Sequence, residues 1–199
     1  PISQNELSAT ETLPETSQNV NERIIFGSYP EVLQMADLTE KKTYLLEIIQ
    51  NYLLKDILML DGVRNASKMF DLLQLIAYQI GQEVSYTELS NKLGINKITV
   101  EKYLDLLTKV FVLIKVKAFS RNLRKEITKN HKWYFVDNGI QNAIINNFSE
   151  IQLRSDIGEL WENYWIVERM KFNAAKNARY NYYFWRTYDQ QEIDFIEEK

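Results

Sequence analysis

Apolar positions recur with helical spacing through the first two thirds of the chain and alternate like strands toward its end. Residues 1–23 are mostly polar and predict a loosely ordered lead with at most one short helix. From Glu40 to Asp61, apolar side chains return every three or four residues, which predicts an amphipathic helix closed by Gly62.

The middle of the chain predicts a compact group of helices followed by two strands. Three helices are predicted from apolar periodicity and end signals: residues 65–80, 86–93 and 97–109. Ser85 and Glu88 form a capping box before the second helix, and Gly94 ends it. Two alternating segments follow, at residues 110–119 and 132–136. A helix-turn-helix followed by a two-stranded hairpin predicts a winged helix.

The last third predicts an apolar helix over residues 156–172 and a terminal β-hairpin over residues 182–196. Asp194 is an isolated carboxylate on the second strand, and only 5 residues follow it. That hairpin predicts the opening of a sheet rather than its completion, and Pro1 is not an initiator Met. We therefore expect a piece of a longer protein, of α+β class and mainly helical.

Composition narrows the function classes. The chain has 199 residues, a net charge of -3, no cysteine and a single histidine, His131. These numbers exclude a disulfide framework, a thiolate metal site and any site built on several imidazoles. The sequence contains no apolar run of about 18 residues and no signal-peptide pattern, so we expect a cytoplasmic protein with no membrane partner.

A basic segment lies beside the predicted helix-turn-helix. Between residues 115 and 132 there are seven basic residues and one acid, Glu126. The basic residues are Lys115, Lys117, Arg121, Arg124, Lys125, Lys129 and Lys132. Together with Lys97 and Lys102 on the second helix of the motif, Arg121, Arg124, Lys125, Lys129 and Lys132 are candidate contacts to DNA phosphates. The alternatives are a protein-docking module and an ordinary solvated face.

Glu162 and Asp194 are the candidate catalytic and metal-binding acids. A helix acid followed by a strand acid is the order found in the PD-(D/E)XK nuclease fold, where the acids hold Mg²⁺. That fold also needs an E-x-K element on the next strand. Glu197 and Lys199 match its letters but lie too close to Asp194, and we interpret them as the turn after the hairpin. The alternative is an acid satisfied by Arg186 or the backbone.

Several motifs are absent from the sequence. It contains no G-x-x-x-x-G-K-[ST], so the chain has no phosphate-cradling P-loop of its own. It also lacks G-x-S-x-G, H-E-x-x-H and a dinucleotide-binding fingerprint.

Six strings of the chain, in order, resemble motifs of a large group of prokaryotic AAA+ class ATPases. PISQNEL at residues 1–7 resembles the "PLSFxEL" strand that ends the nucleotide-binding core of that group. The other five strings are GSYPEV at 27–32, YLLKDI at 52–57, KNHKWYFVDNGI at 129–140, GELWEN at 158–163 and FWRT…EIDF at 184–195. They resemble "GGYPEV", "YLxKDI", "KxxKxYFxDxGI", "GxLxEN" and "FWRTxxxxEVDFI". The resemblance spans essentially the whole chain.

The resemblance implies an ATPase whose N-terminal core carries the Walker motifs, followed by a winged helix and a nuclease-like α/β fold. The implied divisions are 1–26, the end of the ATPase core and a linker; 27–64, a helical linker or lid; 65–137, the winged helix; and 138–199, a truncated nuclease-like domain. ATP and Mg²⁺ are then cofactors of the parent protein, with none expected in this chain.

We expect this chain to be a regulatory, DNA-contacting portion without ATPase or nuclease turnover of its own. Its expected partners are the parent's N-terminal ATPase core and double-stranded DNA, with oligomerisation left open. Two alternatives remain at this point: a protein-docking or assembly module, and a truncated metal-dependent nuclease domain.

Overall fold

A computed structural model describes residues 1–8, 13–53, 65–119, 131–187 and 191–199 of the chain. These residues form an α+β structure in which helices surround a five-stranded mixed sheet. The helices are α1 (Gln4–Ser8), α2 (Leu13–Phe26), α3 (Pro30–Gln34), α4 (Leu38–Glu47), α5 (Ala66–Ala77), α6 (Tyr86–Leu93), α7 (Lys97–Lys109), α8 (Asn138–Ile144) and α9 (Ile157–Ala175). The strands are β1 (Glu83–Val84), β2 (Leu113–Ala118), β3 (His131–Phe135), β4 (Asn181–Arg186) and β5 (Glu192–Glu198).

The helix bounds follow from capping side chains that the sequence displays. Ser85 accepts a hydrogen bond from the backbone N–H of Glu88, and Asn96 accepts one from Thr99 at 2.7 Å. Gly94 closes α6 in the left-handed conformation, at φ 64°. Both helices of the predicted helix-turn-helix therefore have the expected bounds.

The strand order in the sheet is β1-β3-β2-β4-β5. β2 and β4 are parallel, and every other neighbouring pair is antiparallel. Successive residues of a strand point to opposite faces, so Trp133 faces α6 and α7 whereas Lys132 and Tyr134 face α9. The sheet thus lies between two helical layers, and its strands come from both sides of the boundary predicted at residue 137.

A β-bulge in the terminal hairpin changes which side chains face α9. The register between β4 and β5 shifts by one residue between Tyr183 and Trp185, so Asp194 and Phe195 together oppose Phe184. Adjacent residues of a regular strand would point to opposite faces, but a bulge re-aims one of them. Here Asp194 and Phe195 both contact groups on the α9 side of the sheet.

Three predictions about local structure were wrong or incomplete. The polar lead is helical, because α2 ends in the apolar run Ile24-Ile25-Phe26, all of it buried. The helix predicted from Glu40 begins as α4 and continues as a π-helix over Ile48–Leu53, while residues 54–64 lie outside the described part of the chain. Glu197 belongs to β5 rather than to a turn, since it pairs with Tyr182 of β4, and its carboxylate binds Arg169 and Asn173 of α9.

A buried amide joins α9 to the end of β3. The side chain of Asn163 accepts a hydrogen bond from the Phe135 N–H at 2.8 Å and donates one to the Phe135 carbonyl at 3.0 Å. It therefore pairs with Phe135 as a neighbouring strand would. Its Nδ2 also donates to Oδ1 of Asn138 at 2.7 Å, and Asn163 is 0% exposed.

Asn138 and Asn142 of α8 extend this network to α2. Nδ2 of Asn138 donates to the carbonyls of Leu160 and Ile24, at 3.0 and 3.2 Å. Nδ2 of Asn142 donates to the carbonyls of Ile24 and Ile25. The carbonyls at the end of α2, which have no partner within the helix, are thereby satisfied in the interior.

Asp137 completes the same buried region. Its carboxylate accepts hydrogen bonds from the N–H groups of Ser28, at 2.8 Å, and Ile140, at 3.2 Å. Burial raises the pKa of this carboxyl group above its ordinary value, although both hydrogen bonds oppose the change. Gly27 lies against it at φ 76°, and a Cβ at that position would overlap the carboxylate.

In the part of the chain that the structure describes, each helix is too short or too polar to span a membrane.

We predict that Gly27→Ala lowers the free energy of unfolding far more than Gly94→Ala. Both glycines have positive φ, so each alanine pays about 1 kcal/mol of backbone strain. Only at Gly27 must the new methyl group also displace the buried Asp137 carboxylate, whereas nothing lies within 4 Å at Gly94. Urea unfolding should give an additional loss of about 2 kcal/mol for Gly27→Ala. Equal losses for the two variants would contradict this packing account.

Candidate functional site

A buried lysine surrounded by carboxylates lies between the sheet and α9. Lys132 is 2% exposed. Its Nζ is 2.5 Å from Oε1 of Glu192, 2.9 Å from Oδ1 of Asp194 and 3.7 Å from Oε1 of Glu162. We call Lys132, Glu162, Glu192 and Asp194 the Lys132 cluster.

Three separate elements bring the Lys132 cluster together. Lys132 comes from β3, Glu162 from the second turn of α9, and Glu192 and Asp194 from β5. The hydroxyl of Tyr134, two residues along β3, donates a hydrogen bond to Oε1 of Glu162 at 2.6 Å and fixes that carboxylate. The bulge in β5 accounts for Asp194 facing the cluster.

The electrostatics of the cluster keep the lysine charged. Burial alone would lower the pKa of Lys132, but the hydrogen bonds to Glu192 and Asp194 and the charge of Glu162 outweigh burial and raise it. Burial also raises the pKa of Glu162, against the opposing effects of the Tyr134 hydroxyl and Lys132. Lys132 is therefore an ammonium group held by anions, rather than a free amine able to act as a nucleophile.

The cluster forms one wall of an open cavity of about 650 Å³. Further charged groups around it are Glu83, Glu159 and Arg186. Arg186 lies 3.6 Å from Glu83 and 3.9 Å from Glu192, so a second cation borders the cluster. Five carboxylates against two cations leave the lining of this cavity negative overall.

The two acids predicted as a nuclease-like pair, Glu162 and Asp194, do meet in space. They meet on either side of the Lys132 ammonium, which lies where a bridging cation would lie. Among the described residues, no group of three or more His, Asp or Glu side chains is arranged to hold a metal ion. Metal binding by Glu162 and Asp194 stays a prediction.

The position of Lys132 does not fit the hypothesis that this lysine contacts a DNA phosphate. A phosphate contact needs an accessible cation, whereas the Lys132 ammonium is buried and bound by carboxylates. Sequence reasoning missed the contributions of Glu192 and Tyr134, and it expected Arg186 rather than Lys132 beside Asp194. Strand alternation does indicate that Lys132 and Tyr134 share a face, but nothing in the sequence indicates which partner covers that face.

The remaining predicted phosphate contacts fall into two groups. Lys97 and Lys102 are exposed on α7, which also exposes Glu101 and Asp105. Four others, Arg121, Arg124, Lys125 and Lys129, lie outside the described residues, and their role stays a prediction.

His131 does not add charge to a basic surface near neutral pH. Its ring is stacked on Tyr86, with centroids 5.8 Å apart. Burial, together with the charges of Lys115 and Lys117, lowers its pKa to about 4, so the ring is neutral at pH 7.

Two family models match the chain. A domain of unknown function, DUF8612, matches residues 17–151, which is more than half of the chain, and the chain belongs to this family. A second domain of unknown function, DUF4143, matches residues 157–199. The first match contains Lys132, and the second contains the three carboxylates of the Lys132 cluster.

Similar proteins occur in bacteria and archaea. The chain is 29% identical over 179 residues to an uncharacterised protein of Haemophilus influenzae, covering 87% of this chain and 42% of that protein. It is 28% identical over 153 residues to one of Mycobacterium tuberculosis, covering 75% of this chain and 34% of that protein. It is 22% identical over 187 residues to an uncharacterised protein of Methanocaldococcus jannaschii, covering 92% of this chain and 40% of that protein.

The chain therefore spans less than half the length of the curated relatives it matches. No solved structure matches it.

We predict that Lys132→Met destabilises the protein by about 3 kcal/mol at pH 7, because it leaves three carboxylates clustered without their cation. In the variant, repulsion among the carboxylates raises their pKa values in the folded state above those in the unfolded state. The folded variant therefore binds protons more tightly than the unfolded chain, and it gains stability as the pH falls. The deficit relative to wild type should therefore shrink at pH 4, where the carboxylates become protonated. Urea unfolding at both pH values measures this.

Lys92→Met is the matched control, because Lys92 pairs with Glu88 on the exposed face of α6. It should cost less than about 1 kcal/mol at either pH. A Lys132→Met deficit that stays constant with pH would contradict the electrostatic account of the Lys132 cluster.

Proposed function

We propose that this member of the DUF8612 family is the C-terminal regulatory region of a larger AAA+ type ATPase and contacts double-stranded DNA. In this proposal residues 65–137 act as a winged helix, with α7 in the DNA groove and Arg121, Arg124, Lys125 and Lys129 as contacts to the phosphates. The proposal assigns no nucleotide to this chain and places ATP and Mg²⁺ in the parent's N-terminal core.

The observation that carries the proposal is the order and pairing of elements in this region. The elements run α5-β1-α6-α7-β2-β3, and both β1 and β2 pair antiparallel with β3. A helix-turn-helix followed by antiparallel strands of that order is typical of a winged helix, which supports the proposal; here the three strands are part of the five-stranded sheet. In helix-turn-helix proteins, the N-terminal residues of the second helix reach the base edges.

The N-terminus of α7 has the chemistry that this role requires. Asn96, Lys97 and Lys102 are exposed there, and the unpaired N–H groups of a helix N-terminus attract phosphate. Lys115 and Lys117 lie on the adjacent β2, at the start of the basic segment predicted from the sequence.

The match to DUF4143 supports the parent class, because that domain family is associated with AAA ATPases. The greater length of the curated relatives leaves room for an ATPase core outside this chain. That core is the proposed protein partner.

A protein-docking role is the second candidate, and α7 provides the observation that favours it. Its exposed face also carries Glu101, Asp105 and an Ile98 side chain that is 77% exposed. Phe111, just after α7, is 79% exposed at φ 57°, a conformation that is costly for a bulky residue. Carboxylates and exposed apolar groups suit a protein surface better than a phosphate backbone.

The test is a titration of fluorescent duplex DNA by anisotropy, at about 50 and about 200 mM salt. We expect binding that weakens with salt, with a log–log slope of about -4 if about five phosphates are neutralised. The double variant Lys97→Glu with Lys102→Glu should weaken binding at least about tenfold and reduce the slope by about 2.

The control is Lys176→Glu, the same charge change at an exposed residue beyond α9, which should leave binding unchanged. Glutamate at the first position of α7 interacts favourably with the helix dipole, and Lys102 is exposed, so we expect neither substitution to unfold the protein. If no binding to DNA is detected at about 50 mM salt, the DNA proposal is overturned. Association with the separately expressed ATPase core would then support the docking role.

A further inference from the structure

Residues 1–8 lie against α2 and α9 and are held there mainly by polar contacts. We call residues 1–8 the N-terminal strap. It contains α1, in which no residue is buried. The apolar side chains of Ile2 and Leu7 are partly exposed, and the buried residue of the strap is Ser3, which is 4% exposed. Burial of apolar surface therefore contributes little to holding the N-terminal strap in place.

Gln4 joins the N-terminal strap to both neighbouring helices. Its backbone N–H donates a hydrogen bond to Oε2 of Glu168 at 2.5 Å. Its side-chain Oε1 accepts one from the Tyr164 hydroxyl at 2.7 Å and one from Nη1 of Arg23 at 2.6 Å. Glu168 and Tyr164 belong to α9 and Arg23 belongs to α2, so this one residue of α1 connects three helices.

The backbone of Ile2 makes two further contacts. Its carbonyl accepts a hydrogen bond from Nζ of Lys171 at 3.1 Å, and the same ammonium group binds Oε1 of Glu168 at 2.7 Å. Its N–H donates to the carbonyl of Ser28 at 2.8 Å. Because the N–H of Ser28 binds the Asp137 carboxylate, the N-terminal strap reaches the buried polar network that joins α9 to the sheet.

These contacts make the N-terminal strap the kind of segment that opens by itself. Opening exchanges its hydrogen bonds for hydrogen bonds to water and exposes little apolar surface. Local openings of this kind require much less free energy than unfolding of a core. The N-terminal strap can therefore detach while the core stays folded.

The contacts of the N-terminal strap lie beside the turn of α9 that serves the Lys132 cluster. Tyr164 and Glu168 are one helical turn apart, on the side of α9 that faces the strap. Glu162 and Asn163, which directly precede Tyr164, bind side-chain and backbone groups of β3. A helix is a rigid element, so a displacement at Tyr164 also displaces Glu162.

We propose that the N-terminal strap is a releasable attachment through which the ATPase core of the larger protein controls the position of α9 and of Glu162 in the Lys132 cluster. With the strap closed, Glu162 lies 3.7 Å from Lys132. With the strap open, α9 loses three hydrogen bonds and Glu162 moves relative to the ammonium group. The proposal rests on the proposed function only in naming the ATPase core as the region that acts on the strap.

The first test measures opening with a single introduced thiol, because the chain has no cysteine. Ser3→Cys places the thiol in the N-terminal strap, and Ser90→Cys places it in α6, where Ser90 is 8% exposed. The reagent is N-ethylmaleimide, and mass spectrometry gives the rate. Position 3 should react at least about 100-fold faster than position 90, because position 90 becomes accessible only when a larger unit opens.

A substitution at Gln4 tests the attachment itself. Proline suits the first position of a helix, but Gln4→Pro removes both the N–H that binds Glu168 and the side-chain acceptor. Combined with Ser3→Cys, it should raise the rate of thiol modification at least about tenfold. Asn5→Ala, at the exposed next position of α1, is the control and should change the rate less than about twofold.

The coupling to the Lys132 cluster is measured on the ammonium group of Lys132. Nitrogen-15 spectra give the rate at which its protons exchange with water, and its signal is the one missing from Lys132→Arg. Gln4→Pro should raise that rate at least about threefold, and Asn5→Ala should leave it unchanged. Far-UV circular dichroism confirms that each variant is folded. If Gln4→Pro does not fold, Gln4→Ala takes its place, because it removes the side-chain acceptor and keeps the N–H.

Three results would overturn the proposal. They are equal rates of modification at positions 3 and 90, a folded Gln4 variant that opens no faster than Asn5→Ala, and Lys132 ammonium exchange that is the same in the Gln4 variant and wild type. All three measurements use this chain alone. A failure to bind DNA therefore overturns the proposed function without changing them, and a negative result here leaves the DNA proposal standing.

Discussion

The side-chain amide of Asn163 takes the place of a neighbouring strand at the end of β3, and the arrangement of the other layers depends on it. Its two hydrogen bonds to Phe135 fix α9 to the sheet, and its third, to Asn138, leads to α8 and α2. An amide that is 0% exposed has no water to replace these partners. The helices before the sheet, the sheet itself and α9 are thereby joined through one polar network.

This network explains why several of the strings that resemble the AAA+ class motifs lie close together in space. The turn at Gly27 and Ser28, the Asp137 turn and the start of α9 come from distant parts of the sequence, yet all meet around buried backbone groups. In these strings the polar side chains of Asp137, Asn138 and Asn163 stabilise the fold by hydrogen bonds to buried backbone groups. The Lys132 cluster depends on the same framework, because Glu162 directly precedes Asn163 and can reach Lys132 only when α9 lies against β3.

The helix ends that depend on neighbouring residues could be predicted from the sequence, whereas features that depend on tertiary contacts could not. Capping residues and Gly94 place α6 and α7 correctly, because caps act within a few residues. The partners of Lys132 come from residues 30 or more positions away, across a bulge that no short-range pattern encodes. The polar pattern of α2 predicts a loosely ordered N-terminal segment rather than a buried helix. The burial of α2 depends on three apolar residues at its end and on asparagine side chains of α8, which are distant in the sequence.

The most direct test of this account is the stability of Asn163→Ala, measured by urea unfolding with tryptophan fluorescence and far-UV circular dichroism. The variant leaves the N–H and carbonyl of Phe135 buried without partners, so the account predicts a loss of about 3 kcal/mol. Asn91→Ala, at an exposed position on α6, should change stability by no more than about 0.5 kcal/mol. An Asn163→Ala variant as stable as Asn91→Ala would contradict the claim that this amide holds the layers together.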